Sequence, residues 1–222
     1  MRMKTILQKL LMLIAMLSFS LNAIPGTSEY DFKSDGIRYN IVSKRKRTVE
    51  VAEGAFSNMN TQANVVIPSK VLYEGKAYEV IAIEDYAFSL NKKMVSIEIP
   101  NTVKVIEEFA FMTCSNLKSV KMGEGVTTIE NRAFVFCLKL TSIEIPSAVK
   151  SIGIYAFGGC KNLAEVYCKS LTPPKGPAEV FDEETFKECT LYVPIGTKEK
   201  YESADPWRNF LRIVEIDFSS RE

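Results

Sequence analysis

The stretch Ile83-Glu84-Asp85-Tyr86-Ala87-Phe88 decides the fold, because it returns three times at a constant spacing of 23 residues. Each copy keeps an Ile at its first position and an Ala-Phe pair at its end. The later copies are Ile106-Glu107-Glu108-Phe109-Ala110-Phe111, Ile129-Glu130-Asn131-Arg132-Ala133-Phe134 and Ile152-Gly153-Ile154-Tyr155-Ala156-Phe157. A repeat that never slips in register predicts a solenoid, in which each unit buries its apolar face against the next.

A second block follows each copy and has the Leu-x-x-Leu-x-Leu spacing of a leucine-rich repeat. Its four copies are Met94-x-x-Ile97-x-Ile99, Leu117-x-x-Val120-x-Met122, Leu140-x-x-Ile143-x-Ile145 and Leu163-x-x-Val166-x-Cys168. Apolar and polar residues alternate in each, which predicts short strands that stack in parallel about 4.8 Å apart. We expect the Phe and Ile columns to form the core. The predicted fold is an α/β repeat solenoid with right-handed coils and a 23-residue period.

The ends of the sequence predict an exported protein with one folded domain. Residues 1–23 contain three cations, an apolar run and a terminal Asn22-Ala23, as is typical of a secretory signal peptide. The remaining residues, 24–222, are expected to form a single leucine-rich repeat domain without a transmembrane span. Its predicted parts are a β-rich N-terminal cap with a degenerate repeat (24–79), four regular repeats (80–172), and a last strand with a C-terminal cap (173–222).

Charge and composition exclude several classes of function. Without residues 1–23 the formal net charge falls from +1 to −2, so no global electrostatic attraction to nucleic acid is expected. The chain has no His, which removes the commonest general base and zinc ligand. Its Glu and Asp residues follow repeat columns instead of converging as a pair in a cleft. We therefore predict a protein that is not an enzyme and needs no cofactor or metal.

The repeats resemble those of a known family, the BspA-like leucine-rich repeat proteins. The resemblance rests on Ile-x-x-Tyr/Phe-Ala-Phe, Cys-x-x-Leu-x-x-Val/Ile and Ile-Pro in the repeats, and on Thr190-Leu191-Tyr192-Val193-Pro194 and Trp207-x-x-Phe210-x-x-Ile213-Val214-Glu215-Ile216 near the end. It covers nearly all of residues 24–222. It implies an exported bacterial protein, secreted, periplasmic or at the cell surface. Some members are adhesins that bind host matrix proteins.

Two functions from different classes fit these observations. The first is a non-catalytic module that binds an extracellular protein or glycan, including host matrix, through the outward side of its strands. The second is a structural or assembly component of the cell envelope that has no host ligand. For the first function the expected contact residues form two columns: Ser96, Ser119, Ser142 and Glu165, and Glu98, Lys121, Glu144 and Tyr167. Tyr167 is the large aromatic residue of this set and the expected contact hot spot.

The acidic column Glu84, Glu107 and Glu130 contains the type of ligand that binds calcium. Stacked carboxylates repel each other unless they are solvated, paired with cations or bridged by a metal ion. One interpretation is a calcium site on this column. The alternative is a solvated turn with lysine or arginine side chains nearby, and the sequence favours this alternative.

Two further patterns have both a structural and a functional interpretation. Cys114, Cys137 and Cys160 share one column, where buried free thiols are expected in preference to disulfides. Cys168 and Cys189 are interpreted in the same way. The run Lys44-Arg45-Lys46-Arg47 is either a solvated loop between two cap strands or a patch for polyanions and anionic lipid.

Overall fold

The computed structural model describes residues 29–55 and 63–221. The predicted signal peptide and Phe56 of the degenerate repeat lie outside these residues. The described strands are β1 (Phe32–Ser34), β2 (Ile37–Ser43), β3 (Thr48–Val51), β4 (Asn64–Val66), β5 (Lys70–Tyr73), β6 (Lys76–Ile83), β7 (Ser96–Glu98), β8 (Val105–Ile106), β9 (Ser119–Lys121), β10 (Thr128–Ile129), β11 (Ser142–Ile145), β12 (Ser151–Ile152), β13 (Glu165–Cys168), β14 (Thr190–Pro194) and β15 (Arg212–Ile216). Two short helices, α1 (Glu183–Glu188) and α2 (Lys198–Glu202), follow the regular repeats.

Seven of these strands form the predicted parallel ladder, which we call the main ladder. Strands β4, β7 and β9 pair in parallel in that order, and β11, β13, β14 and β15 continue in the same way. Strand β11 lies beside β9 and joins the two groups. Ser96 pairs with Ser119 and Ile97 with Val120, so every outward residue has an outward partner in the next coil. The prediction of stacked parallel strands is confirmed.

A second parallel ladder runs along the opposite part of each coil. Strand β6 pairs with β8, β8 with β10 and β10 with β12, through the column Ile83, Ile106, Ile129 and Ile152. Strands β8, β10 and β12 have only two residues each. Two residues are too few to show an alternating apolar and polar pattern, so the sequence does not predict this ladder.

The segments between the two ladders are turns, and the predicted α/β class overstates the helix content. Tyr86, Phe109, Arg132 and Tyr155 have φ between 53° and 58°, a left-handed conformation that interrupts any helix. Backbone hydrogen bonds between coils hold these turns, as from Phe111 N–H to the Ala133 carbonyl at 2.7 Å. The described part of the chain is therefore mostly sheet, and its few helices lie outside the four regular repeats.

Stacked phenylalanines fill the core between the ladders. Phe88, Phe111, Phe134 and Phe157 are buried, and their neighbouring ring centroids lie 4.8–5.4 Å apart. Phe181 continues the stack beyond the last regular repeat, at 5.3 Å from Phe157. The Ile column beside them is buried as well. The predicted core is thus confirmed, and it extends one position further than the four repeats.

The two ends of the solenoid are built differently. At the N-terminal end, β1, β2 and β3 form an antiparallel meander, and β3 pairs in parallel with β6. Strands β5 and β6 form the predicted hairpin. At the C-terminal end the Phe stack meets Phe186, Phe210 and Trp207 in edge-to-face contacts. The indole N–H of buried Trp207 donates to the Pro174 carbonyl at 2.7 Å.

Candidate binding surface

The outward side of the main ladder, called the strand face below, brings all eight predicted contact residues onto one surface. Its two columns have one member from each of the seven strands. They are Asn64, Ser96, Ser119, Ser142, Glu165, Thr190 and Arg212, and Val66, Glu98, Lys121, Glu144, Tyr167, Tyr192 and Val214. The strand side thus provides a continuous surface along the described residues, as repeat proteins use for binding.

Polar side chains on the central strand face are paired between coils. The Ser96 hydroxyl donates to Asn64 Oδ1 at 2.7 Å, and Lys121 Nζ lies 3.4 Å from Glu98 Oε2. Both members of this ion pair are largely exposed, so it contributes at most about 1 kcal/mol. The pair places opposite charges side by side on the exposed surface of two neighbouring coils.

Lys169 is an important residue of this region that the repeat pattern did not identify. Its Nζ lies 2.7 Å from Glu144 Oε1 and 2.9 Å from Glu124 Oε1, and its side chain is only 23% exposed. Burial lowers the pKa of Lys169, but the hydrogen bonds to the two carboxylates outweigh it and raise the pKa above its ordinary value. Lys169 therefore ties three coils together at the edge of the strand face.

Tyr167 differs from the prediction of an exposed hot spot. Only 7% of the residue is exposed, because its ring stacks on the Tyr192 ring at a centroid distance of 4.5 Å and an angle of 10°. The cause is the pairing of β13 with β14, which places the two tyrosines opposite each other. Tyr192 lies outside the four regular repeats, so columns drawn from those repeats omit it. The half-buried Tyr192 is the more accessible ring of the pair.

Beyond Tyr192 the second column of the strand face becomes apolar and has exposed apolar loop residues beside it, which the sequence columns also did not reveal. Val214 is 42% exposed, and Leu171 and Ile195 are 64% and 68% exposed. A groove of about 240 Å3 lies beside them at the ends of β14 and β15. Its lining residues are Lys169, Leu171, Pro194, Ile195, Ile216, Asp217, Phe218 and Ser219. The column that ends in Val214 thus changes from charged in the middle to apolar at the C-terminal end, whereas the other column ends in exposed Arg212.

The acidic column accepts backbone hydrogen bonds from neighbouring coils. Glu84 Oε2 accepts from the Glu53 N–H at 2.7 Å and from Asn40 Nδ2 at 3.1 Å. In the adjacent column Asp85 Oδ1 accepts from the Glu108 N–H at 2.7 Å. The described residues contain no group of three or more His, Cys, Asp or Glu side chains arranged to hold a metal ion. Carboxylates here link coil to coil, a role that neither sequence interpretation included.

The same carboxylates perturb Glu50 on β3. Burial, and then the charges of Glu84, Glu107 and Asp85, raise the pKa of Glu50 to about 7. Burial is also the largest cause of the raised pKa of Glu107, followed by the charge of Asp85. At the junction between the N-terminal meander and the first regular coil, burial and neighbouring carboxylates therefore both favour the protonated form of Glu50.

The cysteine column is a ladder of buried free thiols, as predicted. The sulfurs of Cys114, Cys137 and Cys160 donate to the carbonyls of Phe88, Phe111 and Phe134 at 3.1, 3.3 and 3.2 Å. Burial raises the pKa of Cys114 to about 12, which disfavours the thiolate form near neutral pH.

The basic run forms the turn between β2 and β3, and all four of its side chains are exposed. Ser43 Oγ accepts from the Lys46 N–H at 3.2 Å, and the Arg47 carbonyl accepts from the Glu79 N–H at 2.8 Å. The ion pairs found in the described residues do not involve this run. A fixed, exposed basic turn is compatible with both interpretations of the sequence.

Comparison with protein families gives a match over more than half of the chain. A family model described as "BspA type Leucine rich repeat region (6 copies)" matches residues 81–200. Comparison with curated proteins gives no match. Within the described residues, no helix has the length and apolar character that crossing a membrane requires.

Solved structures with similar folds come from several bacteria. A leucine-rich repeat protein from Bacteroides capillosus is 25% identical, with a TM-score of 0.56 over 63% of this chain and 99% of that one. The leucine-rich repeat protein of T. pallidum is 20% identical, with a TM-score of 0.63 over 83% of this chain and 81% of that one. The pneumococcal vaccine antigen PcpA is 19% identical, with a TM-score of 0.55, and the match covers 75% of this chain and 50% of that one. The last two likenesses concern the fold alone.

Proposed function

This chain belongs to the BspA-type leucine-rich repeat family, and from that membership and the strand face we propose that it is an exported binding module without catalytic activity. It engages an extracellular protein or glycan, including host matrix, by shape and distributed polar contacts. The observation that carries this proposal is the strand face itself, seven parallel strands wide with side chains fixed by pairing between coils. Fixed side chains lose little conformational freedom on binding, which favours affinity.

We propose the architecture that goes with this role. Residues 1–23 direct export and are removed, and residues 24–222 form one domain with right-handed coils. The N-terminal meander and the C-terminal cluster around Trp207 close the two ends of the core, which solenoids require. N-terminal sequencing of the protein recovered outside the cell tests the first part. We expect it to begin at Ile24.

Binding through the strand face is tested with a charge reversal at its centre. Lys121→Glu removes the ion pair to Glu98 and places two acids side by side. Lys104→Glu makes the same charge change at an exposed position next to β8, on the second ladder. Both variants are compared with the unmodified protein on an immobilised panel of matrix proteins and glycans.

We expect saturable binding to one class of panel member and a roughly tenfold weaker Kd for Lys121→Glu, since a charge inside an interface is costly to mismatch. Lys104→Glu should bind as the unmodified protein does. Binding that both variants weaken equally would show a general charge effect and would count against the strand face. Absence of binding to every panel member would favour an envelope component instead.

A further inference from the structure

Exposed apolar residues are concentrated at the two ends of the solenoid. Ten large apolar residues are exposed among the described residues, and only Leu90 and Leu138 of these lie between residues 84 and 168. The others lie before residue 84 or after residue 168, for example Val66 at 61% exposure and Leu211 at 73%. Apolar surface that collects at specific places marks contact sites more often than scattered residues do.

Among the described residues, both ends of the main ladder are also open strand edges. Within residues 29–55 and 63–221, β4 pairs only with β7, and β15 pairs only with β14. Open edges invite pairing with another chain, and proteins commonly protect them with charged side chains. Strand β4, with the sequence Asn64-Val65-Val66, has no charged side chain. Strand β15 has two, but Arg212 donates to the Glu188 carbonyl and Glu215 accepts from the Lys198 N–H within the same chain.

The outward valines give these edges matching chemistry. The strand-face column that contains Glu98, Lys121 and Glu144 begins with Val66 and ends with Val214. In this column charged residues thus occupy the middle, where a neighbouring coil is already present, and β-branched apolar residues occupy the positions where the ladder stops. The other column ends in Asn64 and Arg212. β-branched side chains facing each other across two strands stabilise their pairing.

From these observations we propose that copies of this protein stack end to end, with β15 of one copy pairing in parallel with β4 of the next. Val214 then faces Val66 of the neighbouring copy. A second copy is the expected occupant because the two edges belong to one parallel ladder and have their outward columns in the same register. Such a contact uses different surfaces on the two copies, so it generates open-ended rows instead of closed dimers.

This stacking goes beyond the binding role proposed above and does not depend on it. A row of copies would present one continuous strand face with many equivalent sites. If the face binds a repetitive ligand, such a row gains affinity by multivalency without new contacts. The two proposals are tested separately, since association is measured without any ligand.

Sedimentation equilibrium of the purified protein over about a hundredfold range of concentration tests the proposal. We expect the average mass to rise above that of a single chain and to keep rising without a plateau. Val214→Lys and Val66→Glu should each raise the dissociation constant about tenfold by placing an unpaired charge on one edge. Leu138→Lys, on a central coil, is the matched control and should associate normally.

Mixing the two edge variants provides the decisive test. Equal amounts of Val214→Lys and Val66→Glu should associate again, because the introduced lysine meets the introduced glutamate at one junction and two valines meet at the other. Restored association supports head-to-tail stacking. A single-chain mass at every concentration, a plateau at a dimer, or equal weakening by Leu138→Lys would overturn the proposal. Unchanged thermal unfolding midpoints show that all the variants are folded.

Discussion

The central coils and the C-terminal end use the same two outward columns for different chemistry. In the centre these columns contain serines and the Glu98–Lys121 ion pair, whereas further along they continue through stacked tyrosines to exposed Val214. The inward columns hardly change over the same distance, as the Phe stack shows. The fold is thus specified by the repeated inner residues, whereas the outer residues differ from coil to coil because they do not pack in the shared core.

The strongest test of this contrast breaks the inner column in the middle. Phe134 stacks on both Phe111 and Phe157, so Phe134→Ala removes a fully buried ring and leaves a cavity. We expect the free energy of unfolding to fall by about 3–5 kcal/mol. Chemical denaturation measures the change. Phe134→Leu, which retains much of the volume, should lose clearly less, and equal losses would mean that packing of the stack is not the cause.

The second test weakens the C-terminal end alone. Trp207→Phe keeps an aromatic ring but removes the N–H that bonds the Pro174 carbonyl at 2.7 Å. Leaving this buried acceptor unpaired should cost about 1–3 kcal/mol. Hydrogen exchange should show faster opening of β14 and β15 than of β7 and β9, because solenoids open locally. Equal acceleration in all four strands would show that the ends and the centre unfold as one unit.

The third test concerns the junction of the N-terminal meander with the first regular coil. The pKa of Glu50 is about 7 when folded and 4.5 in the unfolded chain, so the folded state holds a proton that the unfolded state releases. Stability should therefore fall as the pH rises from about 4.5 to about 7, with full stability below that window. Because Glu50 is only half-buried, the expected loss is on the order of 1 kcal/mol.

Denaturation at a series of pH values measures this slope. Glu50→Gln should flatten it, whereas Glu79→Gln, at an exposed position on β6, should leave it unchanged. A slope that persists in Glu50→Gln would assign the effect to the other carboxylates of the acidic column.

The smallest expected effect compares an ion pair between coils with a local one. Lys169→Gln separates the bridge to Glu124 and Glu144 and should cost about 1 kcal/mol, since the charges are partly shielded from water. Lys187→Gln breaks an exposed pair within α1 and should cost about 0.3 kcal/mol. High salt should narrow the difference between these variants. If the two losses are equal, Lys169 does not act as a clamp between coils.

Sequence reasoning predicted the parts of the molecule that repeat, and it missed those that do not. The Phe, Ile and Cys columns recur at one spacing, so their burial was predictable from the period alone. Strands β8, β10 and β12 were not, because two residues show no alternation. The contact partners of Tyr167 and Lys169 lie in other coils at irregular separations, as Tyr192 and Glu124 do. Surface contacts of this kind depend on folded geometry, which a periodic pattern does not encode.

The hydrogen bonds between coils also determine how such a chain can change its length. Each turn receives its partners from an equivalent turn 23 residues away, as Glu108 does from Asp85. Removing residues 123–145, one full period, would leave the backbone donors of the turns opposite equivalent acceptors, whereas removing a few residues would misalign a whole coil. Duplication or loss of the coding sequence for a whole period therefore converts one protein that can fold into another. The length of the solenoid can therefore change during evolution by whole coils, while both end structures are retained.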